Sequence, residues 1–493
     1  MPKTIKKFLI CSVAFVILAG GCQDPTPVEY RPMLEQRLRK PTSIAEPNAA
    51  ESRIEKGAAT PLPAGPLDLR QAIDIALAHN PGLKATLQDV GIAEQQIQIA
   101  RSAFLPQISG RYGHDFLDRD LEVSLPGGLK STLLEREFQR AELDLKWMLW
   151  DFGRSLGRYR QAKFGREITS TNYRRLRHSV IYQTTEAYFN VLRAQKAREI
   201  AIDALYSAKS HLETAENLFS QEIVAKDNVL RAKVQVAEFK QQLIAAENAI
   251  RLTMNVLNRT MGVNVNRPTE IVDLTQEPEF NMAIDWALQQ AINHRPEFEQ
   301  VQLGIRLRQE ELTTAQAEFL PEIFVANKLA HIEDTGELNK NVAFTEVGIQ
   351  INLYSGGRRS AQVHQARREI TKAIEVAKAI CDTIALEVRQ AFLAIEDAKA
   401  RLDVAETVIS LAAENRRLVL EKYRNTLATP TDVADVEAAN TKAQQNYYTA
   451  LYDYIFAVEQ LQFAMGMNDL SRQGLNDRNG DGSRVELETK IVK

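Results

Sequence analysis

Two proline landmarks recur at a fixed offset along this chain, and that offset constrains the fold more than any other feature. Asn80-Pro81 and Phe104-Leu105-Pro106-Gln107-Ile108 return as Arg295-Pro296 and Phe319-Leu320-Pro321-Glu322-Ile323, both displaced by 215 positions (296 − 81 and 321 − 106). Gly153-Arg154 and Met261-Gly262 return as Gly357-Arg358 and Met465-Gly466, displaced by 204 (357 − 153 and 465 − 261). A single loss of eleven residues (215 − 204), between Pro321 and Gly357, reconciles the two offsets. Solenoid repeats have periods of roughly 20–50 residues. This is instead one large structural unit copied once, with expected copies at 67–280 and 281–466 and a polar tail at 467–493.

Each copy reads the same way. A short amphipathic helix ends at His79, and a second starts with Asn80 as N-cap and Pro81 at its first helical position. Pro106, and Pro321 in the second copy, should break the following helix, because the ring removes a donor and disfavours helix in the residue before it. The period then changes from 3.6 to 2. Ala141, Leu143, Leu145, Trp147 and Leu149 alternate with Arg140, Glu142, Asp144, Lys146 and Met148. Val347, Ile349, Ile351 and Leu353 alternate likewise with Glu346, Gly348, Gln350 and Asn352. Hairpins are therefore expected at about 105–150 and 320–354, with Ser124 to Gly128 as a loop in the first. Gly153-Arg154 and Gly357-Arg358 mark strand-to-helix turns, where glycine supplies backbone freedom.

An apolar face set against a charged one fits a sheet on a core or a barrel wall between lipid and water. No separate globular core is legible here, which favours the wall. Four strands cannot close a membrane barrel, so several chains must share one. After each hairpin comes a very long helix: Gly357 to Leu427 is about 70 residues, or about 105 Å. Its stripe Cys381, Ile384, Val388, Ala391, Ile395, Ala398, Leu402, Ala405, Ile409, Ala412 follows heptad spacing, the mark of helix packed on helix. Two shorter helices per copy, stacked end to end, would match its length.

The N-terminus is a targeting segment, residues 1–21, with Lys3, Lys6 and Lys7 before an apolar run from Phe8 to Ala19 that is too short to span a bilayer. Leu18-Ala19-Gly20-Gly21-Cys22 resembles a bacterial lipoprotein signal, which would acylate Cys22; Ala19-Gly20-Gly21 also suits an ordinary signal peptidase. Eight prolines between Gln23 and Pro66 make 22–66 an extended linker. With Cys11 removed and Cys22 lipidated, Cys381 stands alone and no disulfide framework is possible. A net charge of −3 and a pI near 6.3 leave no basic footprint for nucleic acid.

Taken together, the duplicated Asn/Arg-Pro and Phe-Leu-Pro motifs, Tyr354-Ser355-Gly356-Gly357-Arg358 and Thr431-Asp432-Val433-Ala434-Asp435 resemble the TolC-like family of outer-membrane efflux proteins. The resemblance spans about Leu67 to Gly466. It implies a mainly α fold with a small β part: a homotrimeric α-barrel of long coiled helices joined to a 12-stranded transmembrane β-barrel, four strands per chain. Its implied role is an exit duct in the outer membrane, extending into the periplasm, with a periplasmic adaptor and an inner-membrane transporter as partners. In several members an Asp-x-x-Asp narrows the periplasmic mouth, and Asp432 and Asp435 match it. The competing reading is helix capping, since both lie in the first turns of a helix. Their first-copy counterparts, 204 earlier, are Asn228 and Arg231.

The tail from Asp477 through Asn479 and Asp481 to Glu488 fits a calcium loop, although Arg484 occupies the usual apolar position; a plain polar tail is the alternative. No other cofactor is expected. The seven histidines form no metal-spaced pair, and neither a phosphate loop nor a Gly-x-Ser-x-Gly elbow occurs, so no enzyme is expected. The alternative to a duct is a lipid-anchored periplasmic coiled-coil scaffold or adhesin without a pore.

Overall fold

The computed structural model describes residues 65–468, apart from 125, 127–129, 275, 334–339 and 426. Cys22 and the Asp477, Asn479, Asp481, Glu488 loop lie outside the described residues. The duplication is preserved helix by helix. Short α1 (Leu69–His79) and α2 (Pro81–Ser102) match α5 (Ile284–His294) and α6 (Pro296–Ala317), at 11 and 22 residues in each copy. Long α3 (Arg154–Ser220) matches α7 (Arg358–Arg424) at 67 residues, and α4 (Lys226–Thr260) matches α8 (Pro430–Ala464) at 35. At 1.5 Å per residue the long pair runs about 100 Å.

Near the sheet, α2, α3, α6 and α7 lie side by side; at the far end the order is α4, α3, α8 and α7. So α2 continues onto α4, and α6 onto α8, in line with the expectation of stacked short helices. Asn80 makes the first joint. Its Oδ1 accepts from Leu83 N (3.1 Å) to cap α2, and its Nδ2 donates to Thr260 O (2.9 Å) at the end of α4. Gly262 closes α4 in the left-handed region (φ 73°), with Val263 N donating back to Asn258 O (3.1 Å). Arg295 makes the second joint, donating to Ala464 O (3.4 Å) beside Gly466 (φ 74°). The repeated Met-Gly landmarks are thus helix stops that also let a second helix begin at close range.

The core sits at this waist, where Tyr188, Phe189, Leu257, Met261, Ile395, Leu402, Tyr452, Leu461 and Met465 are fully buried. The segment after α4 wraps it: Ile271 pairs with Leu67 as an isolated parallel bridge, the Tyr188 hydroxyl lies between the carbonyls of Leu67 (3.0 Å) and Val272 (2.5 Å), and Tyr452 donates to Asp273 (2.7 Å). The heptad stripe of α7 is buried from Ile384 to Ala405. Cys381 departs from it and is exposed, because the partner of α7 changes from α8 to α6 at the joint and the packing register resets there.

Strands β1 (Gln107–Phe116), β2 (Leu121–Ser124), β3 (Lys130–Leu134) and β4 (Glu137–Trp150) come from the first copy, β5 (Glu322–Glu333) and β6 (Asn341–Gln350) from the second. They form one antiparallel sheet in the order β1-β4-β5-β6 and a separate β2-β3 pair. That pair corrects the first hairpin: beyond Asp120 a second antiparallel pair follows, β2 against β3 from Leu121/Leu134 to Ser124/Lys130, while the expected Ser124-to-Gly128 loop lies mostly outside the described residues. The eleven residues missing from the second copy fall here, between β5 and β6. A second correction concerns β6, which ends at Gln350, so Ile351 and Leu353 lie past the ladder.

An inside-out sheet and a helical tip

The register fixes which side chains share a face. Ile108 lies opposite Leu145, Leu143 opposite Leu329, Trp147 opposite Val325, and Val325 opposite Val347. This apolar face is bare: Ile108, Tyr112, Leu143, Trp147, Leu149, Val347 and Ile349 are all exposed. The opposite face carries the charges, and an ion-pair network runs across it. Glu142, only 7 % exposed, pairs with Lys328 (2.7 Å) and Arg140 (3.6 Å), and Arg140 also reaches Asp115 (3.2 Å). A sheet of a water-soluble protein buries its apolar side; this one reverses the rule, as a barrel in lipid does. Both edges, β1 and β6, lack a partner strand among the described residues.

Short turns mount the sheet on the helices. Gly153 (φ 97°) and Gly357 (φ 83°) precede α3 and α7 in the left-handed region. Arg154 crosses between the copies to Glu322 (2.9 Å), and Arg358 approaches Glu318 (3.6 Å). Helices α2 and α6 each stop four positions before their proline, Pro106 and Pro321 (106 − 102 and 321 − 317). Aromatic side chains crowd this level: Trp147 donates to Phe104 O (3.0 Å), and Trp150 packs edge-on against Phe152.

At the other end are the α3–α4 and α7–α8 turns. Asp432 is part of a capping box: its Oδ2 accepts from Thr429 N and Thr429 Oγ1 (2.7 Å each), while its own N–H donates to Thr429 Oγ1 (3.2 Å). The Thr429 amide and hydroxyl hold its carboxyl below the ordinary carboxylate range. Asp435 is exposed one turn further along α8. The counterparts on α4 differ, and Arg231 approaches Asp227 (3.8 Å) instead. Between α4 and α8 a groove of about 990 Å³ is lined by Asp435, Asn228, Arg231 and alanines of α3.

Sequence reasoning missed the buried polar cluster nearby. Glu437 of α8, 2 % exposed, accepts from His211 of α3 (3.2 Å) and Arg416 of α7 (2.8 Å). Burial alone would raise its pKa, but the bonds from His211 and Arg416 outweigh that and hold the carboxyl below its ordinary value. The signal available was the copy comparison, since the residue 204 earlier is Lys233.

The model of the outer membrane efflux protein family matches residues 72–263 and again 287–467. The chain belongs to the outer membrane efflux protein family. The two matches are offset by 215 at their starts and 204 at their ends, the same displacements as the landmarks, so the family unit is the duplicated one. The chain is 23 % identical over 418 residues to the alkaline protease secretion protein AprF of Pseudomonas aeruginosa, covering 82 % of this chain and 85 % of that one. It is 22 % identical over 425 residues to the outer membrane protein TolC of Escherichia coli, covering 83 % of each. Its fold matches the Campylobacter jejuni CmeC outer membrane channel at a TM-score of 0.71 and 18 % identity, over 83 % of this chain and 89 % of that one. As an outer membrane efflux protein it is an exit duct, placed in the outer membrane and reaching into the periplasm.

Proposed function

We propose that three copies of this chain assemble into one continuous duct, with 3 × 4 = 12 strands closing a barrel in the outer membrane and the helices forming a tunnel below it. The observation that carries this reading is the sheet: an exposed apolar face, an ion-paired polar face, and two edges without a partner strand among the described residues, which another copy can satisfy. A scaffold or adhesin without a pore has no use for Trp147 and Leu149 in water. The duct itself is passive and carries out no catalysis. An inner-membrane transporter supplies the energy, and a periplasmic adaptor couples to the helical tip. Acylation of Cys22 would tether the chain to the outer membrane through the linker at 22–66.

Asp432 and Asp435 share a helix face and in a trimer would stack as two rings of carboxylates around the periplasmic mouth. Such rings attract cations and resist closing unless neutralised. Asp432 can serve both as cap and as ring, because the capping bonds to its carboxylate use Oδ2. The test is single-channel conductance in planar bilayers. Asp432→Ala with Asp435→Ala should raise conductance and abolish block by multivalent cations; unchanged conductance and block would leave Asp432 as a cap only. For the tail, calorimetric titration of residues 471–493 with calcium decides between a loop site and a plain polar segment.

A further inference from the structure

The strand register inside the first copy is reproduced inside the second. Gln107 opposite Lys146, displaced by 215 and 204, falls on Glu322 opposite Gln350, which is the pairing observed between β5 and β6. The junction between the copies, β4 against β5, then has one counterpart: β6 against β1 of another copy of the chain, the two edges without a partner strand among the described residues. The same displacements carry Leu145 opposite Asn327 onto Ile349 opposite Tyr112 of the next copy (145 + 204 and 327 − 215). They carry Trp147 opposite Val325 onto Ile351 opposite Gly110 (147 + 204 and 325 − 215), and Trp150 opposite Ile323 onto Tyr354 opposite Ile108 (150 + 204 and 323 − 215). The faces agree. Ile349 and Tyr112 both lie on the bare apolar face, whereas a slip of one residue would set one of them against the charged face.

This register also accounts for where β6 stops. Residues 351–354 continue its alternation but lie past the ladder, while their counterparts, 147–150, belong to β4 because β5 pairs with them. Within one chain β5 begins at Glu322, opposite Gln350, and cannot reach beyond it. Down the helices the same seam changes its chemistry. Between the copies of one chain, Phe456 of α8 packs on Tyr182 (5.5 Å between centroids) and Phe189 (6.0 Å) of α3, and two bridges cross from α3, Arg193 to Asp453 (2.6 Å) and His211 to Glu437 (3.2 Å). The counterparts between chains are Leu252 against Leu386 and Leu393, Asp397 against Ala249, and Asn415 against Lys233. The three leucines are exposed in the single chain, and neither bridge has an ionic counterpart. We propose that β6 is completed in trans: residues 351–354 become strand when β1 of the next copy pairs with them in this register, and leucine contacts replace the ionic bridges along the helices. This rests on the three-copy duct reading and names the residues that join one copy to the next.

Cysteine pairs in the full chain, with Cys381→Ser, test it. Four double variants combine Ile349→Cys or Ile351→Cys with Tyr112→Cys or Gly110→Cys, so each cysteine serves once in a matched pair and once in a pair displaced by two residues. Directly opposite Cβ atoms lie about 4.5–5.5 Å apart and diagonal ones about 7–8 Å, and a disulfide needs about 3.5–4.5 Å. Copper-phenanthroline oxidation of outer membranes should therefore give covalent dimers and trimers from Ile349/Tyr112 and Ile351/Gly110. Their yield should exceed that of Ile349/Gly110 and Ile351/Tyr112 by about fivefold or more. A variant that assembles poorly lowers a matched and a displaced pair alike, so the ratio still decides. Leu252→Cys with Leu393→Cys should link copies as well. A displaced pair that links best, or matched or leucine-site pairs that fail to link while native gels show the trimer, overturns the proposal and leaves the duct standing. Native gels without a trimer of the unsubstituted protein overturn the duct reading beneath it.

Discussion

A Cβ at Gly262 would lie 2.4 Å from His79 O, 2.6 Å from His79 C and 2.8 Å from Asn80 Cα, all backbone atoms at the joint between α4 and α2. Alanine there carries two costs. The left-handed conformation costs an L-residue about 1–2 kcal/mol, and forcing a methyl into a packed site adds about 1–3 kcal/mol. Gly262→Ala should therefore destabilise by about 2–5 kcal/mol. The structure supplies graded controls. Gly466 has the same backbone geometry with its nearest atoms at 2.9, 2.9 and 3.0 Å, and Gly153 has nothing within 4 Å. Gly153→Ala should thus cost only the conformational term of about 1–2 kcal/mol, and Gly466→Ala should fall between the two. The assay is urea unfolding of each purified variant in detergent, followed by far-ultraviolet circular dichroism. Equal losses at Gly262 and Gly153 would refute the claim that two helices meet end to end at the waist, because the crowding term would then be zero.

Three further outcomes follow from the same structure. Leu143→Arg, on the bare apolar face, should cost about 2–4 kcal/mol in lipid and abolish outer-membrane insertion, while Met148→Lys on the polar face should insert normally; fractionated membranes read both. Deleting residues 120–130 should leave assembly and conductance intact, because the β1–β4 register from Gln107/Lys146 to Phe116/Glu137 does not use them; loss of the trimer in native gels would contradict this. Glu437 stabilises the fold as a carboxylate with a lowered pKa, so its contribution is present above its ordinary 4.5 and is lost as pH falls through the depressed value. The stability gap between the wild type and Glu437→Gln should be widest near neutrality and shrink below about pH 4; a constant gap from pH 7 to 3 would show that the charge is irrelevant.

Much of this architecture was legible because the duplication prints each structural decision twice. Asn80-Pro81 and Arg295-Pro296 start helices, Pro106 and Pro321 stop them, and Met261-Gly262 and Met465-Gly466 end the return arms. The alternation in β4 revealed its two faces, and the offsets located the missing eleven residues. The β2–β3 extension was hidden because Leu121 to Ser124 is too short for alternation to declare itself. Glu437 was hidden for a different reason: a carboxylate on a long helix reads as a solvated face until two other helices bring His211 and Arg416 to it. The waist segment around Ile271 and Asp273 has no period at all, and it is ordered by Tyr188 and Tyr452, which lie far away in the sequence.

The inside-out sheet is the claim on which the duct stands, and its tryptophans can report on it directly. Trp147 and Trp150 lie at the base of the sheet with exposed rings, and the third tryptophan, Trp286, sits on α5 far from it. With Trp286→Phe, the full chain reconstituted into vesicles of brominated phospholipid should lose most of its tryptophan fluorescence relative to ordinary phospholipid. Fluorescence unchanged by bromine, and quenched instead by aqueous iodide, would mean that the apolar face meets water and that no barrel forms.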